Sequence, residues 1–162
     1  MSDAGRIAPA GELARQLLEK SGDAIVIADR DGTITFWNVG AEAMFGFRSG
    51  EAVGQSLELI IPERLRERHR RGYLETMRTG TTRYTEHLLA VPGIRRDGST
   101  ISLEFQVTLL ATSDGDQPGA IAAVIRDVTE RWEQDRELRE RIRTLESLVP
   151  DGATSTDRET NA

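Results

Sequence analysis

Residues 23–38, Asp23-Ala24-Ile25-Val26-Ile27-Ala28-Asp29-Arg30-Asp31-Gly32-Thr33-Ile34-Thr35-Phe36-Trp37-Asn38, decide the fold. Residues 24–28 are a continuous apolar run rich in β-branched side chains, the composition of a buried strand. Asp29-Arg30-Asp31-Gly32 is a turn with glycine where a positive φ is wanted, and residues 33–37 alternate as the partner strand. The stretch reads as a β-hairpin, and Asn38 at its end caps the helix that follows.

Downstream of the hairpin the apolar period changes. Ala41, Met44 and Phe45 fall on one face of a short helix that Gly46 stops, and Ser49 is expected to cap a second one containing Ala52 and Val53. Residues 55–61 lead to Pro62, which suits the first position of a longer helix ending near Gly80. On it Leu65, His69, Tyr73 and Met77 recur every fourth residue and share a face. From residue 82 onward strands are expected over 84–91, 101–110 and 121–128, with turns at Arg96-Asp97-Gly98 and Ser113-Asp114-Gly115-Asp116. Two strands, a run of helices and three strands imply an α+β domain, a five-stranded antiparallel sheet with its helices on one face.

The flanks are different in character. Residues 1–10 are small and polar and are expected to be disordered. Residues 11–21 form an amphipathic helix with Leu13, Leu17 and Leu18 on its apolar side. Residues 130–149 are helical and highly charged, with Leu138, Ile142, Leu145 and Val149 spaced by four, three and four as a coiled-coil seam. Arg131 and Asp135 occupy the seam positions nearer the domain, so the apolar half carries the expected homodimer. Residues 150–162 read as a disordered tail.

The chain has 162 residues, a net charge of −6 and no cysteine. That length has room for one ordinary domain. The acidic balance repels phosphate backbones, and the arginines of 64–71 are interleaved with Glu63 and Glu67 as on a solvated helix face, so direct nucleic-acid binding is not expected. No apolar run approaches the roughly 20 residues that cross a bilayer, and no signal peptide is recognisable. The expected location is the cytoplasm, without a membrane partner. Lack of cysteine removes disulfides, thiolate metal sites and thiol-based sensing.

The segments Asp23 to Asp29, Gly32-Thr33-Ile34-Thr35-Phe36-Trp37-Asn38, Ala41-Glu42-Ala43-Met44-Phe45-Gly46-Phe47, Gly54, Arg95-Arg96-Asp97-Gly98-Ser99 and Ile125-Arg126-Asp127-Val128-Thr129-Glu130 resemble the PAS domain family in their order. The resemblance bounds the domain at 22–129 and makes 130–149 its signalling helix. It implies a stand-alone sensory module of a bacterial-type regulator, in which Asn38 closes the turn after the second strand and Asp127 and Thr129 pass the signal into the following helix. It implies a separate partner protein, such as a histidine kinase or a transcription regulator, and no enzymatic activity.

One further segment resembles a subfamily. Pro62-Glu63-Arg64-Leu65-Arg66-Glu67-Arg68-His69 is similar to the stretch carrying the proximal histidine in haem-PAS oxygen sensors of the FixL type, and the spacing to Arg95-Arg96-Asp97-Gly98 agrees. The resemblance makes haem b a candidate cofactor of a gas or redox sensor. His69 is then the proximal iron ligand, and His87, where an enteric relative of those sensors places an axial methionine, is the second candidate. The arginine that stabilises bound oxygen in those relatives aligns with Leu89. The competing reading is a histidine satisfied within the helix face, as arginine-flanked histidines often are.

The expected ligand pocket lies between helices and sheet, walled by Ile25, Ile27, Met44, Phe45, Ile60, Leu65, Tyr73, Leu89, Phe105 and Val124. A small hydrolase is the remote alternative: Ser56, His69 and Asp97 supply the residue types of a triad, but no nucleophile-elbow motif accompanies them. No glycine-rich phosphate loop is present.

Overall fold

A computed structural model describes residues 9–82, 89–112 and 115–148. Two compact units are distinguished, 1–129 and 130–162. The first opens with helix α1 (Ala10–Lys20), followed by strands β1 (Ala24–Asp29) and β2 (Ile34–Trp37). Helices α2 (Val39–Phe45) and α3 (Ser49–Ala52), a 3-10 turn at Leu57–Ile60 and helix α4 (Glu63–Thr79) come next. Strands β3 (Leu89–Ile94), β4 (Thr100–Thr112) and β5 (Gly115–Asp127) complete it. All pairings are antiparallel and the sheet order is β2-β1-β5-β4-β3. The second unit is described through helix α5, which starts at the junction and spans Thr129–Leu148.

Local chemistry places these elements. The Asn38 side chain accepts from the Ala41 amide and caps α2, while Gly46 ends it at φ 80°, a left-handed conformation that glycine adopts without steric cost. Gly40 is required for a different reason: a Cβ there would lie 2.2 Å from the Asp23 carbonyl oxygen, so α2 can approach the start of β1 only without a side chain.

The core fills the space between one sheet face and α2, α3 and the 3-10 turn. Ala24, Val26, Trp37, Leu103 and Ile125 meet Ala41, Phe45, Ala52 and Ile60 in one cluster. Phe45 is fully buried, and its ring lies 5.4 Å from that of Trp37, whose indole N–H donates to the Phe47 carbonyl at 3.0 Å. The pair combines area burial with ring-to-ring attraction and leaves no indole donor unsatisfied.

Three local expectations are corrected. Ser49 is the first residue of α3 rather than its cap, and Arg48 precedes it, its backbone N–H donating to the Glu51 carboxylate at 2.9 Å. Pro62 is the cap of α4, one position before the helix. Strands β4 and β5 run longer than their apolar stretches, since pairing continues past register shifts around Ala111, opposite Pro118. An irregular ladder tolerates a proline that a regular one would exclude. The expected strand residues 84–88 lie outside the described residues.

Candidate signalling site

The side chains expected to relay a signal gather where β1 begins and β5 ends. Asp127 Oδ1 accepts from the Thr129 amide at 2.9 Å and from its hydroxyl at 2.6 Å, fixing the first residue of α5. The Ser102 amide donates to Thr129 Oγ1 at 2.9 Å, and the Val128 amide donates to the Ser102 carbonyl at 2.8 Å. The junction is therefore bolted to β4 from both sides. Burial works against the Asp127 charge, but the Thr129 hydroxyl and amide, with Arg95 beside them, outweigh it and hold its pKa below the ordinary carboxylate value.

Arg95 extends this network. Its Nη2 donates to Asp127 Oδ2 at 2.6 Å and its Nε donates to the Met44 carbonyl at 2.9 Å. One planar guanidinium thus ties the last turn of α2 to the end of β5, as a fork of fixed geometry can. An open concavity of about 490 Å³ adjoins it, lined by Ala43, Met44, Phe45 and Gly46 on one side and Arg95, Arg96 and Asp97 on the other.

Asn38 holds the other end. Buried at 3% exposure, it accepts from the Ile25 and Ala41 amides and donates to the carbonyls of Leu18, Ser21 and Asp23. The Leu18 carbonyl belongs to the last turn of α1, where helical carbonyls lack partners of their own. Arg126 in turn donates to the Asp23 carboxylate at 2.9 and 3.0 Å. Asn38 therefore reaches the Asp127 neighbourhood through Asp23 and Arg126. Asp23, Arg95 and Arg126 lie within the segments that carry the family resemblance but, like Ser102, are not among the site residues expected from the sequence. Their charges within those segments were the available signal for the first three, and Ser102 offers none.

The expected pocket divides. Phe45 and Ile60 are core residues, and Met44 and Phe105 pack partly buried against them. Leu65, His69 and Tyr73 are half-buried on the inner face of α4, with Met77 fully buried, so the four-residue period is correct. Leu89 pairs in register with Phe105. Ile25, Ile27 and Val124, however, stand on the opposite face of the sheet: Ile25 pairs with Val124 and Ile27 with Ala122, while Val26 pairs with Ala123. Val124 is 43% exposed. The physical reason is that an unbroken apolar run shows no alternation, and a one-residue step exchanges the faces.

His69 has its ring 5.8 Å from that of Tyr73, and no hydrogen bond joins its imidazole to a described residue. Burial lowers its pKa, with the Glu58 charge acting the other way, which favours the neutral imidazole. The Tyr73 hydroxyl donates to the Asp29 carbonyl at 2.6 Å; burial, with Asp29 and Asp31 nearby, raises its pKa and keeps it protonated. As a haem donor His69 fits in charge and in freedom of its lone pair. The concavity beside Arg95 and a second, of about 350 Å³ near Gly80 and Val107, both lie away from it. His87 and Val149 lie outside the described residues.

The three residues of the hydrolase reading have separate partners. Ser56 Oγ accepts from the Glu58 amide, Asp97 accepts from the Ser99 hydroxyl and amide, and His69 meets Tyr73. The structure does not assemble them as a triad. Among the described residues no group of acidic, histidine or cysteine side chains is arranged to hold a metal, and no helix is long and apolar enough to cross a membrane.

Against known proteins, the family model described as "PAS fold" matches residues 18–133. Sensor protein FixL of Bradyrhizobium diazoefficiens is 30% identical over 130 residues, which are 78% of this chain and 24% of that protein. Signal transduction histidine-protein kinase AtoS of Escherichia coli is 28% identical over 138 residues, 82% of this chain and 21% of that one. The chain thus spans about a quarter or less of these relatives. Among solved structures, the PAS domain of a Colwellia psychrerythraea protein superposes with a TM-score of 0.64 at 20% identity, covering 75% of this chain and 99% of that one.

Proposed function

Since this chain belongs to the PAS fold family, we propose that it is a sensory module that dimerises and relays ligand or partner state through α5 to a separate signalling protein. The observation that carries this reading is the Arg95 guanidinium, which bridges the Met44 carbonyl of α2 to Asp127 at the foot of α5. A change in the position of α2 alters the acceptor geometry at Arg95, and with it the side chain that fixes the first residue of the output helix. Coupling of this kind needs two arrangements of one packed network. The relatives include a sensor protein and a histidine-protein kinase, which supports a histidine kinase or similar regulator as the partner. The proposed location is the cytoplasm, and no turnover is assigned to the chain.

Self-association is supported by α5 itself. Leu138, Ile142 and Leu145 are 60%, 49% and 63% exposed along one line of the helix, and burying such a side chain contributes roughly 1.5–3 kcal/mol. The test is the mass of the whole chain by light scattering. A dimer that becomes monomeric in the Leu138→Glu, Leu145→Glu double variant is expected; a wild-type monomer, or an unchanged dimer in the variant, overturns the reading.

A second reading is favoured by the His69 imidazole on the inner face of α4, which no described residue hydrogen-bonds and whose pKa burial lowers. In it His69 holds the iron of haem b, with His87 as the second ligand, and the chain is a gas or redox sensor. The haem would supply an iron able to bind a small diatomic molecule or change oxidation state. What the chain contributes is a donor kept deprotonated by burial and a helix face that also carries Leu65 and Tyr73.

A further inference from the structure

Arg15, Arg70, Arg78, Arg95, Arg96 and Arg126 each hold a carboxylate. Arg64, Arg68 and Arg71 do not: all three are exposed, and among the described residues none of them makes an ion pair or hydrogen bond. Their spacing of four and three places them in one column over about 10 Å of helix axis, on the side of α4 opposite His69, Tyr73 and Met77. Leu74, 50% exposed, stands one turn beyond Arg71. Helix α4 carries six arginines against three glutamates within a chain of net charge −6, so the helix is positive on an otherwise acidic chain.

We propose that the outer face of α4 docks an acidic helical segment of a partner protein, whose carboxylates meet Arg64, Arg68 and Arg71 and whose apolar residue covers Leu74. Charge complementarity argues for this occupant. Discrete carboxylates at helical spacing suit discrete guanidinium forks. A continuous phosphate backbone suits the surface less, because Glu63, Glu67 and Glu75 interrupt the helix and the net charge of the chain repels it. Arginine is also among the side chains on which protein interfaces concentrate their binding energy. The proposal uses no residue of the α5 seam, so the two tests are read separately.

The experiment uses the full chain and a fluorescein-labelled acidic helical peptide, with glutamates at the same spacing of four and three and a leucine one turn on, read by anisotropy. Binding that weakens with added salt, drops roughly tenfold in Arg64→Gln, Arg68→Gln, Arg71→Gln, and weakens in Leu74→Ser without a change in salt slope is the expected result. The triple variant should keep the wild-type melting curve, since none of the three side chains bonds to a described residue of the fold. No binding at low salt, or equal affinity in the triple variant, overturns the proposal. So does tighter binding of labelled single-stranded RNA or phosphatidylserine vesicles through the same three arginines.

Discussion

Arg95 and Asp127 form an ion pair at 2.6 Å across the ends of two strands that are not neighbours in the sheet, since β4 runs between β3 and β5. The pair is thus a tertiary clasp over the edge of the sheet, closed only when the turn after β3 and the exit of β5 are both in place.

Replacing Arg95 with Ala is expected to cost about 1 kcal/mol or less in global stability, because both side chains keep solvent access. The larger effect is local: amide hydrogen exchange in the first turns of α5 should quicken while the sheet stays protected. Arg95→Lys should restore part of the protection, since a single ammonium cannot serve Asp127 and the Met44 carbonyl in the same geometry. Unchanged exchange at residues 129–133 in Arg95→Ala removes the guanidinium from the relay.

Asn38→Ala should be among the most damaging polar substitutions in the domain. It leaves the Ile25 and Ala41 amides without their acceptor in a buried place, each at about 1–3 kcal/mol, and frees three carbonyls. Asn38→Asp keeps the acceptor but aims a charge at those carbonyls, so it should destabilise as well. Urea midpoints measure both; an Asp variant as stable as wild type would show that the amide donor contributes nothing.

The pH dependence follows from His69. Its pKa is lower in the folded chain than in the unfolded one, so the unfolded state takes up a proton first as the medium is acidified. Its contribution to stability is complete above the ordinary histidine pKa of about 6.5 and is lost progressively below it. The urea midpoint should therefore fall between about pH 7.5 and about pH 5.5, and fall less in His69→Gln. An equal fall in both proteins assigns the effect to other groups.

The haem reading has a spectroscopic answer. Wild-type protein supplied with excess haemin and desalted should show a Soret band, His69→Ala should lose it, and His87→Ala should keep haem with a five-coordinate spectrum. A desalted wild-type protein without the band ends that reading and leaves the sensory module untouched.

Much of the fold was legible because its signals are local. The Asn38 cap, the Gly46 stop and the period of Leu65, His69, Tyr73 and Met77 each depend on neighbours a few residues away. The sidedness of β1 was not, since five consecutive apolar residues give no phase, and it took the pairing of Val26 with Ala123 to set the inner face. At the candidate site, Asp127 and Thr129 are close in sequence and could be read together. The Arg95 link to Met44 spans 51 positions and exists only once the sheet has closed.

Asp23, held by Asn38 at its carbonyl and by Arg126 at its carboxylate, has a topological consequence. Ala24, the first residue of β1, pairs with Ile125 close to the last of β5, so the chain enters and leaves the sheet through adjacent doorways roughly 5 Å apart. A domain with neighbouring entry and exit behaves as a cassette. It can be excised, transplanted between two helices or circularly permuted with a short splice.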